Sequence, residues 1–298
     1  MAFSRWRLRP VERQQTEELA AQCSLPLFLA RLLTGRGYAR PGQVEQFFQA
    51  ESEVLEDPLS FQGMDVAVTR IRKALEEEEQ IAVYGDYDCD GVTATALLTD
   101  YLQTLGGRVI SVLPHRQGEG YGLNRSALDR CREQGVTLLI TVDNGISALD
   151  EVDYAKELGM EVIVTDHHVP GAKLPNALAV IDPHLEPDCT PFCGAGLALM
   201  LAAALEDGDV EFILDQYADL AALGTISDVV PLVDSNRALV QRGLPLIQQG
   251  QRPGLAALLQ TAGISTQSPL TAQQVAFGLG PRINAAGRMA QPEPALDL

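Results

Sequence analysis

The sequence predicts an α/β protein: a doubly wound parallel sheet with flanking helices, followed by a helical C-terminal extension. Two observations carry this reading. Short apolar runs at 81–83, 109–113, 137–142, 161–165 and 177–181 alternate with stretches of helical periodicity, joined by short connections. The run TLLITV at 137–142 is apolar without alternation, the pattern of a parallel strand covered on both faces.

Taken in order, residues 1–58 read as a small helical appendage, with LPLFLARLLTGRGY and VEQFFQ as amphipathic pieces split by Gly and Pro. A helix follows at 66–79, and its closing EEEE run reads as a solvated face. The first strand, 81–83, leads through Gly85 and Gly91, read as turn residues, into a helix at 92–105 with apolar positions at i, i+3 and i+4. After the strand at 109–113 comes the loop PHRQGEGYGLN, whose GxGxG lies too far from its strand for a dinucleotide fingerprint and reads as a flexible rim. Asn124 is placed to cap a helix at 126–134. A helix at 148–158 joins the next two strands, and an amphipathic helix at 217–227 ends on Asp228. The expected division is therefore an appendage at 1–58, an α/β catalytic domain at 59–235 and a helical extension at 236–298.

With 46% hydrophobic residues the chain can bury a core, yet no apolar run approaches the ~20 residues of a membrane span. The start, MAFSRWRLRP, lacks the apolar core of a signal peptide, so a cytoplasmic location is expected. Five scattered cysteines in a chain of this size are expected to be reduced thiols. The formal charge of −18 argues on its face against a nucleic-acid partner, because phosphate contacts come from Lys and Arg. The charge is uneven: residues 1–40 hold seven Arg against three Glu, a local +4 that leaves −22 for the remainder.

Chemistry concentrates where strands end. The first strand runs into Asp86, Asp88 and Asp90, the third into Asp143, and the fourth into Asp166, His167 and His168. Clustered acids repel and raise one another's pKa values unless a cation or hydrogen-bond donors hold them. Taken alone, DxDxD also occurs in calcium loops and solvated turns. Two of four histidines placed directly after a strand, at the ligand-binding end of such a sheet, turn the balance toward a metal. A mixed Asp/His donor set suits manganese or magnesium better than calcium. On repulsion alone, losing Asp90 or Asp228 is expected to leave the metal-free fold intact or slightly firmer.

GDYDCDG, TVDNG, TDHH, LGTISDVVPL and GPRINAAGRM, in this order and spacing, resemble the motifs of the DHH phosphoesterases, most closely their single-stranded-DNA exonuclease branch. The resemblance runs from about residue 60 to the C-terminus. It implies phosphodiester hydrolysis with Mn2+ or Mg2+, 5′-to-3′ removal of nucleotides from single-stranded DNA, and a place in repair and recombination beside other replication or repair proteins. Carried over by motif, Asp90, Asp143, His167 and Asp228 hold one metal, and Asp88 with the shared Asp143 holds a second. His168 and Arg282 then face the scissile phosphate, with Asn284 and Arg288 as helpers.

Two departures qualify this. Some family members carry a histidine four residues before the first metal-binding aspartate, here Asp88; Tyr84 stands there, a poor ligand at neutral pH, so the first-metal site, the one that holds Asp88, is expected to be weak. Exonucleases of this branch continue past the GPRINAAGRM motif into further domains, so weak gripping of long strands is expected of this chain. A phosphodiesterase of short oligonucleotides or cyclic dinucleotides remains an alternative, as does a non-catalytic replication scaffold. A zinc site at Cys189, Cys193 and His184 is disfavoured, since only three ligands gather and a helix is expected to begin at 194.

Overall fold

The computed structural model describes residues 9–48, 55–114, 122–289 and 291–298. The chain divides into two compact units, residues 1–54 and 55–298. In the first, helices α1 (Arg13–Gln22), α2 (Leu27–Gly35) and α3 (Pro41–Phe48) close on a small core of Leu19, Ala30, Leu33 and Val44. Only one stripe of each short helix faces that core, so Leu27, Phe28 and Leu32 of α2 stay exposed.

The second unit opens with α4 (Met64–Glu76) and then alternates β1 (Gln80–Tyr84), α5 (Cys89–Thr104), β2 (Arg108–Val112), α6 (Arg125–Glu133), β3 (Val136–Val142), α7 (Leu149–Glu157), β4 (Glu161–Thr165) and β5 (Ala179–Ile181). The five strands form one sheet, order β2-β1-β3-β4-β5, with every neighbouring pair parallel. The chain crosses from one half of the sheet to the other between β1 and β3, and ligands of open α/β sheets bind at such a crossing, outside the strands' carboxyl ends.

Successive strand residues point to opposite faces, which explains the unbroken apolar runs. Ile81, Val83, Leu138 and Ile140 join one core with α4, α5 and the helices that follow β5, whereas Ala82, Tyr84 and Leu139 join a second core under α6 and α7. Asn124 caps α6 as expected, accepting from Ala127 N at 2.8 Å.

After β5 the chain is helical: α8 (Gly194–Leu205), α9 (Val210–Ser227), α10 (Asp234–Gln249), α11 (Pro253–Thr261), α12 (Ala272–Gln274), a π-helical turn at Val275–Leu279, α13 (Gly280–Met289) and α14 (Glu293–Leu296). Three expectations need correction. The helix ending at Asp228 begins at Val210 rather than Tyr217 and is not amphipathic; α5, α8 and α10 pack around it, so it is buried over most of its length. The EEEE run is solvated only at Glu76, Glu77 and Glu78, because Glu79 turns in to accept from Arg70 (2.7 Å) and from Thr137 Oγ1. Gly91 lies in the first turn of α5, since the capping of that helix by Asp88 starts it at Cys89. The loop read as a rim lies outside the described residues at 115–121. None of the described helices is long and apolar enough to cross a membrane.

Candidate metal centre

The apolar run of β1 ends at Tyr84, and the next turn carries three acids into the amino end of α5. Asp88 Oδ1 caps that helix, accepting from Asp90 N and Gly91 N at 3.0 Å each, where the helix dipole favours an anion. Asp86 is buried and its Oδ1 has no hydrogen-bond partner. Asp90 points the other way, into the amino end of α8: Oδ2 accepts from Gly194 N (2.6 Å) and Oδ1 from Ala195 N (2.9 Å). Position 194 admits only glycine, because a Cβ there would stand 2.4 Å from Asp143 Cβ. The relief of repulsion expected on losing Asp90 is thus set against two buried hydrogen bonds.

β3 delivers Asp143 with φ +62°, a left-handed conformation that is uncommon outside glycine and is stored at functional sites when the surroundings enforce it. β4 delivers Asp166, His167 and His168. His167 Nε2 lies 2.9 Å from Asp143 Oδ1, 3.7 Å from Asp90 Oδ2 and 3.8 Å from Asp228 Oδ2, the last carried by the carboxyl end of α9. Asp166 accepts from the backbone N–H of Ile146, His167 and His168, and its Oδ1 holds His168 Nδ1 at 2.7 Å. Three sets of donor atoms therefore converge: Asp90 with His167 and Asp228, Asp143 with His167 and His168, and Asp86 with Asp88 and Asp143.

The electrostatics match that geometry. Burial, with the charge of Asp88, pushes Asp86 up to about 7, and burial with the charge of Asp90 pushes Asp228 up to about 6. Asp143 is held well above the usual carboxylate range by burial and then by Asp90 and Asp88, and burial raises Asp90 as well. Asp166 differs: burial opposes its charge, yet the His168 hydrogen bond and charge, with backbone donors, hold it below the usual range. In return, the hydrogen bond to Asp166 raises His168. Buried acids that resist ionisation, one of them with an unpartnered oxygen, fit a divalent cation, and the mixed carboxylate and imidazole donors fit manganese or magnesium.

Asp88, Asp90, Asp143, His167 and Asp228 thus meet in one place, with His168 beside them, its ring centroid 4.5 Å from that of His167. The residues of α13 stand differently. Arg282 is exposed and donates from Nη1 to Gly278 O at 2.6 Å, and Arg288 is exposed in the last turn. Asn284 engages the protein itself: its Oδ1 accepts from Cys89 N at 2.6 Å, tying α13 to the amino end of α5. Gly287 completes that seat, since a Cβ there would stand 2.6 Å from Tyr87 O.

Sequence reasoning did not assign Asp86 to the ligand set, although it shares the alternate spacing of Asp88 and Asp90. It also missed Asp166 as the residue that orients His168, for which the adjacency in TDHH was the signal, and the hook from Asn284, for which there was none. Tyr84 lies in the core on the α6 side, donating to Gly122 O (3.0 Å) and accepting from Asn124 Nδ2 (2.9 Å). Cys189 reaches Glu56, Cys193 lies beside Thr225, and His184 is held by Asp182. All five cysteines are free thiols.

A parallel sheet whose carboxyl edge gathers acids and paired histidines, with Asp143 and His167 each shared between two donor sets, defines an α/β fold with a candidate metal centre. The chain belongs to the DHH family, and residues 80–225 match the DHH family N-terminal domain. It is 39% identical over 298 residues to the single-stranded-DNA-specific exonuclease RecJ of Bacillus subtilis, covering 99% of this chain and 37% of that protein. The RecJ of Escherichia coli is 40% identical over 303 residues, covering 95% of this chain and 50% of that protein. Among solved structures, exonuclease RecJ bound to manganese matches with a TM-score of 0.73 at 41% identity, over 82% of this chain and 61% of that one. RecJ in complex with Mn2+ from Thermus thermophilus matches with a TM-score of 0.81 at 35% identity, over 97% of this chain and 41% of that one. The chain thus spans about a third to a half of the length of the curated RecJ proteins it matches.

Proposed function

We propose that this chain is the catalytic core of a 5′-to-3′ exonuclease of single-stranded DNA, working in the cytoplasm in repair and recombination beside other replication or repair proteins. The observation that carries the reading is the sharing of Asp143 between two donor sets, with His167 shared between two as well. Residues 59–235 are the catalytic domain and 236–298 the extension that brings the phosphate-side motif, with residues 1–58 as an appendage.

Asp90, Asp143, His167 and Asp228 hold one cation, Mn2+ or Mg2+. Asp88 and Asp143, joined by Asp86, hold a second and weaker one, because Tyr84 supplies no ligand and Asp86 must lose its proton near neutrality. When bound, the cations supply Lewis acidity toward phosphoryl oxygens and make hydroxide available near neutral pH. Asp166, held ionised, accepts from His168 Nδ1–H and raises the imidazole's pKa, so that the protonated ring presents Nε2–H toward the phosphate. Arg282 neutralises developing charge with its planar fork, helped by Arg288, while Asn284 steadies the α5 terminus that carries Asp88 and Asp90.

The deciding assay is Mn2+-dependent digestion of end-labelled single strands beside duplex, pyrophosphate and cyclic dinucleotides. Selective shortening of single strands from the 5′ end is expected. The formal charge of −18 and only three lysines favour, as a second reading, a phosphodiesterase of short oligonucleotides or cyclic dinucleotides, which would leave long strands untouched. A non-catalytic scaffold would leave all four untouched; the full set of ligands speaks against it.

A further inference from the structure

The carboxyl edge of the sheet carries a second aspartate and histidine pair, outside the metal centre. All three histidines among the described residues stand on this edge: His167 and His168 after β4, and His184 after β5. Thr165 pairs with Ile181, and Asp166 N donates to Ile181 O at 3.1 Å, so the ladder between β4 and β5 runs up to two aspartates, Asp166 and Asp182. Each is followed two residues later by a histidine. Asp166 and Asp182 thus leave neighbouring strands side by side, one strand spacing of ~4.8 Å apart.

The two pairs are built alike. Asp182 Oδ1 accepts from His184 N at 2.8 Å and holds His184 Nδ1 at 3.0 Å, as Asp166 Oδ1 holds the N and Nδ1 of His168 at 3.2 and 2.7 Å. The side chain of Asp182 is wholly buried while 43% of that of His184 is exposed, against 2% and 47% for Asp166 and His168. Asp182 Oδ2 has no hydrogen-bond partner, so the carboxylate spends its hydrogen bonds on His184. A buried acid whose partner is an exposed imidazole is an orienting group, of the kind that fixes which ring nitrogen is left for a ligand. Asp182 also caps the 3-10 turn Pro183–Leu185, and Pro183 stiffens the single step between the aspartate and the histidine.

We propose that Asp182 and His184 bind a second phosphate of the substrate, the one next to the phosphate that faces His168. The inference rests on the phosphodiesterase reading above and extends it by one subsite. Asp182 accepts from Nδ1–H; as the phosphate binds, the pair takes one proton from solvent, and Nε2–H donates to a phosphate oxygen. The charged and titratable groups of the adjoining segments are Asp166 and His168 after β4 and, in the same turn, Glu186, whose Oε1 accepts from Gln62 N at 2.6 Å. A metal ion would need further ligands, and among the described residues no converging set of His, Cys, Asp or Glu includes His184. A phosphate needs only the one donor backed by charge, and the pair stands one strand from His168. That step of ~4.8 Å is of the order of one nucleotide, ~3.4 Å along a helical strand and longer when extended.

The test uses the whole chain with Mn2+ and three trinucleotides whose linkages are phosphorothioates, which keep the charge and resist hydrolysis. One carries a 5′-phosphate, one lacks it, and one carries it with an uncharged methylphosphonate at the second linkage, so the phosphates on the two sides of the scissile one are removed in turn. His184→Ala should weaken the first ligand about tenfold, the low end of what a hydrogen bond to a charged group contributes. It should weaken one of the other two by the same factor and leave unchanged the one that lacks the contacted phosphate. His184→Gln, which keeps an N–H donor, should recover part of the loss. Mn2+ affinity, read by calorimetry, should not change in either variant. Equal losses on all three ligands, no loss on the first, a fall in Mn2+ affinity, or no trinucleotide binding by the unaltered chain would each overturn the proposal. A phosphate-specific loss without cleavage of the all-phosphate trinucleotide would retain the subsite and remove the proposed reaction; cleavage with no phosphate-specific loss would do the reverse.

Discussion

Asp90 closes the amino end of the helix that begins at Gly194, with 2.6 Å between its Oδ2 and the Gly194 nitrogen and 2.9 Å between its Oδ1 and the next nitrogen. A carboxylate in a metal cluster is thereby also part of the fold. Asp90→Ala is expected to lower the stability of the metal-free protein by about 1–2 kcal/mol, the usual cost of a lost helix cap. Asp228→Ala removes a repelling acid that caps nothing in this way, and should leave the melting temperature in chelator equal or higher. Thermal melts of both variants in chelator check the contrast, and a loss as large for Asp228→Ala would refute it.

Asp143 belongs to two of the donor sets and Asp88 to one. Asp143→Ala should therefore cost more Mn2+ affinity and more hydrolysis than Asp88→Ala. Calorimetric titration with Mn2+ separates them: two binding events should weaken in the first variant and one in the second. Matching losses would remove the bridging role.

The acids also set a pH dependence. Asp86 lies at about 7 and Asp228 at about 6 in the fold, each against an ordinary value of 3.8. The folded state therefore holds protons that the unfolded chain has released. Their contribution to stability is complete below the ordinary value and is lost as pH rises through 6 and 7. In chelator, the melting temperature should fall from about pH 5 to about pH 8. Mn2+ needs the deprotonated ligands, so its affinity should climb over the same range. A melting temperature that stays level in chelator across this window would contradict the assignment.

Asn284 should act on the fold before it acts on substrate. Asn284→Ala leaves Cys89 N without its acceptor and should cost about 1 kcal/mol, the net worth of one hydrogen bond. Hydrogen exchange at Cys89 should quicken. Asn284→Asp keeps an acceptor oxygen and should retain slow exchange; rapid exchange in that variant would argue for a role in phosphate contact alone.

The order of strands and helices, and the end of the sheet at which chemistry gathers, could be read from residue order. Apolar runs of strand length stop abruptly at aspartate in GDYDCDG, TVDNG and TDHH, and a parallel sheet brings such stops to one edge. That periodicity is local, so it survives without knowledge of what packs where. It failed for α9, whose sides are defined by three other helices, and for Glu79, whose partner Thr137 lies 58 residues away. It was silent on how side chains divide between ligand and scaffold. Asp90 meets an amide 104 residues distant, and Asn284 meets one 195 residues distant. Such pairings depend on the directions in which α5, α8 and α13 approach one another, and those directions follow from the packing of whole apolar faces. The chemistry on offer is thus written in residue types and spacing, whereas the use made of each carboxylate and amide is settled by which helix end the packed core sets against it.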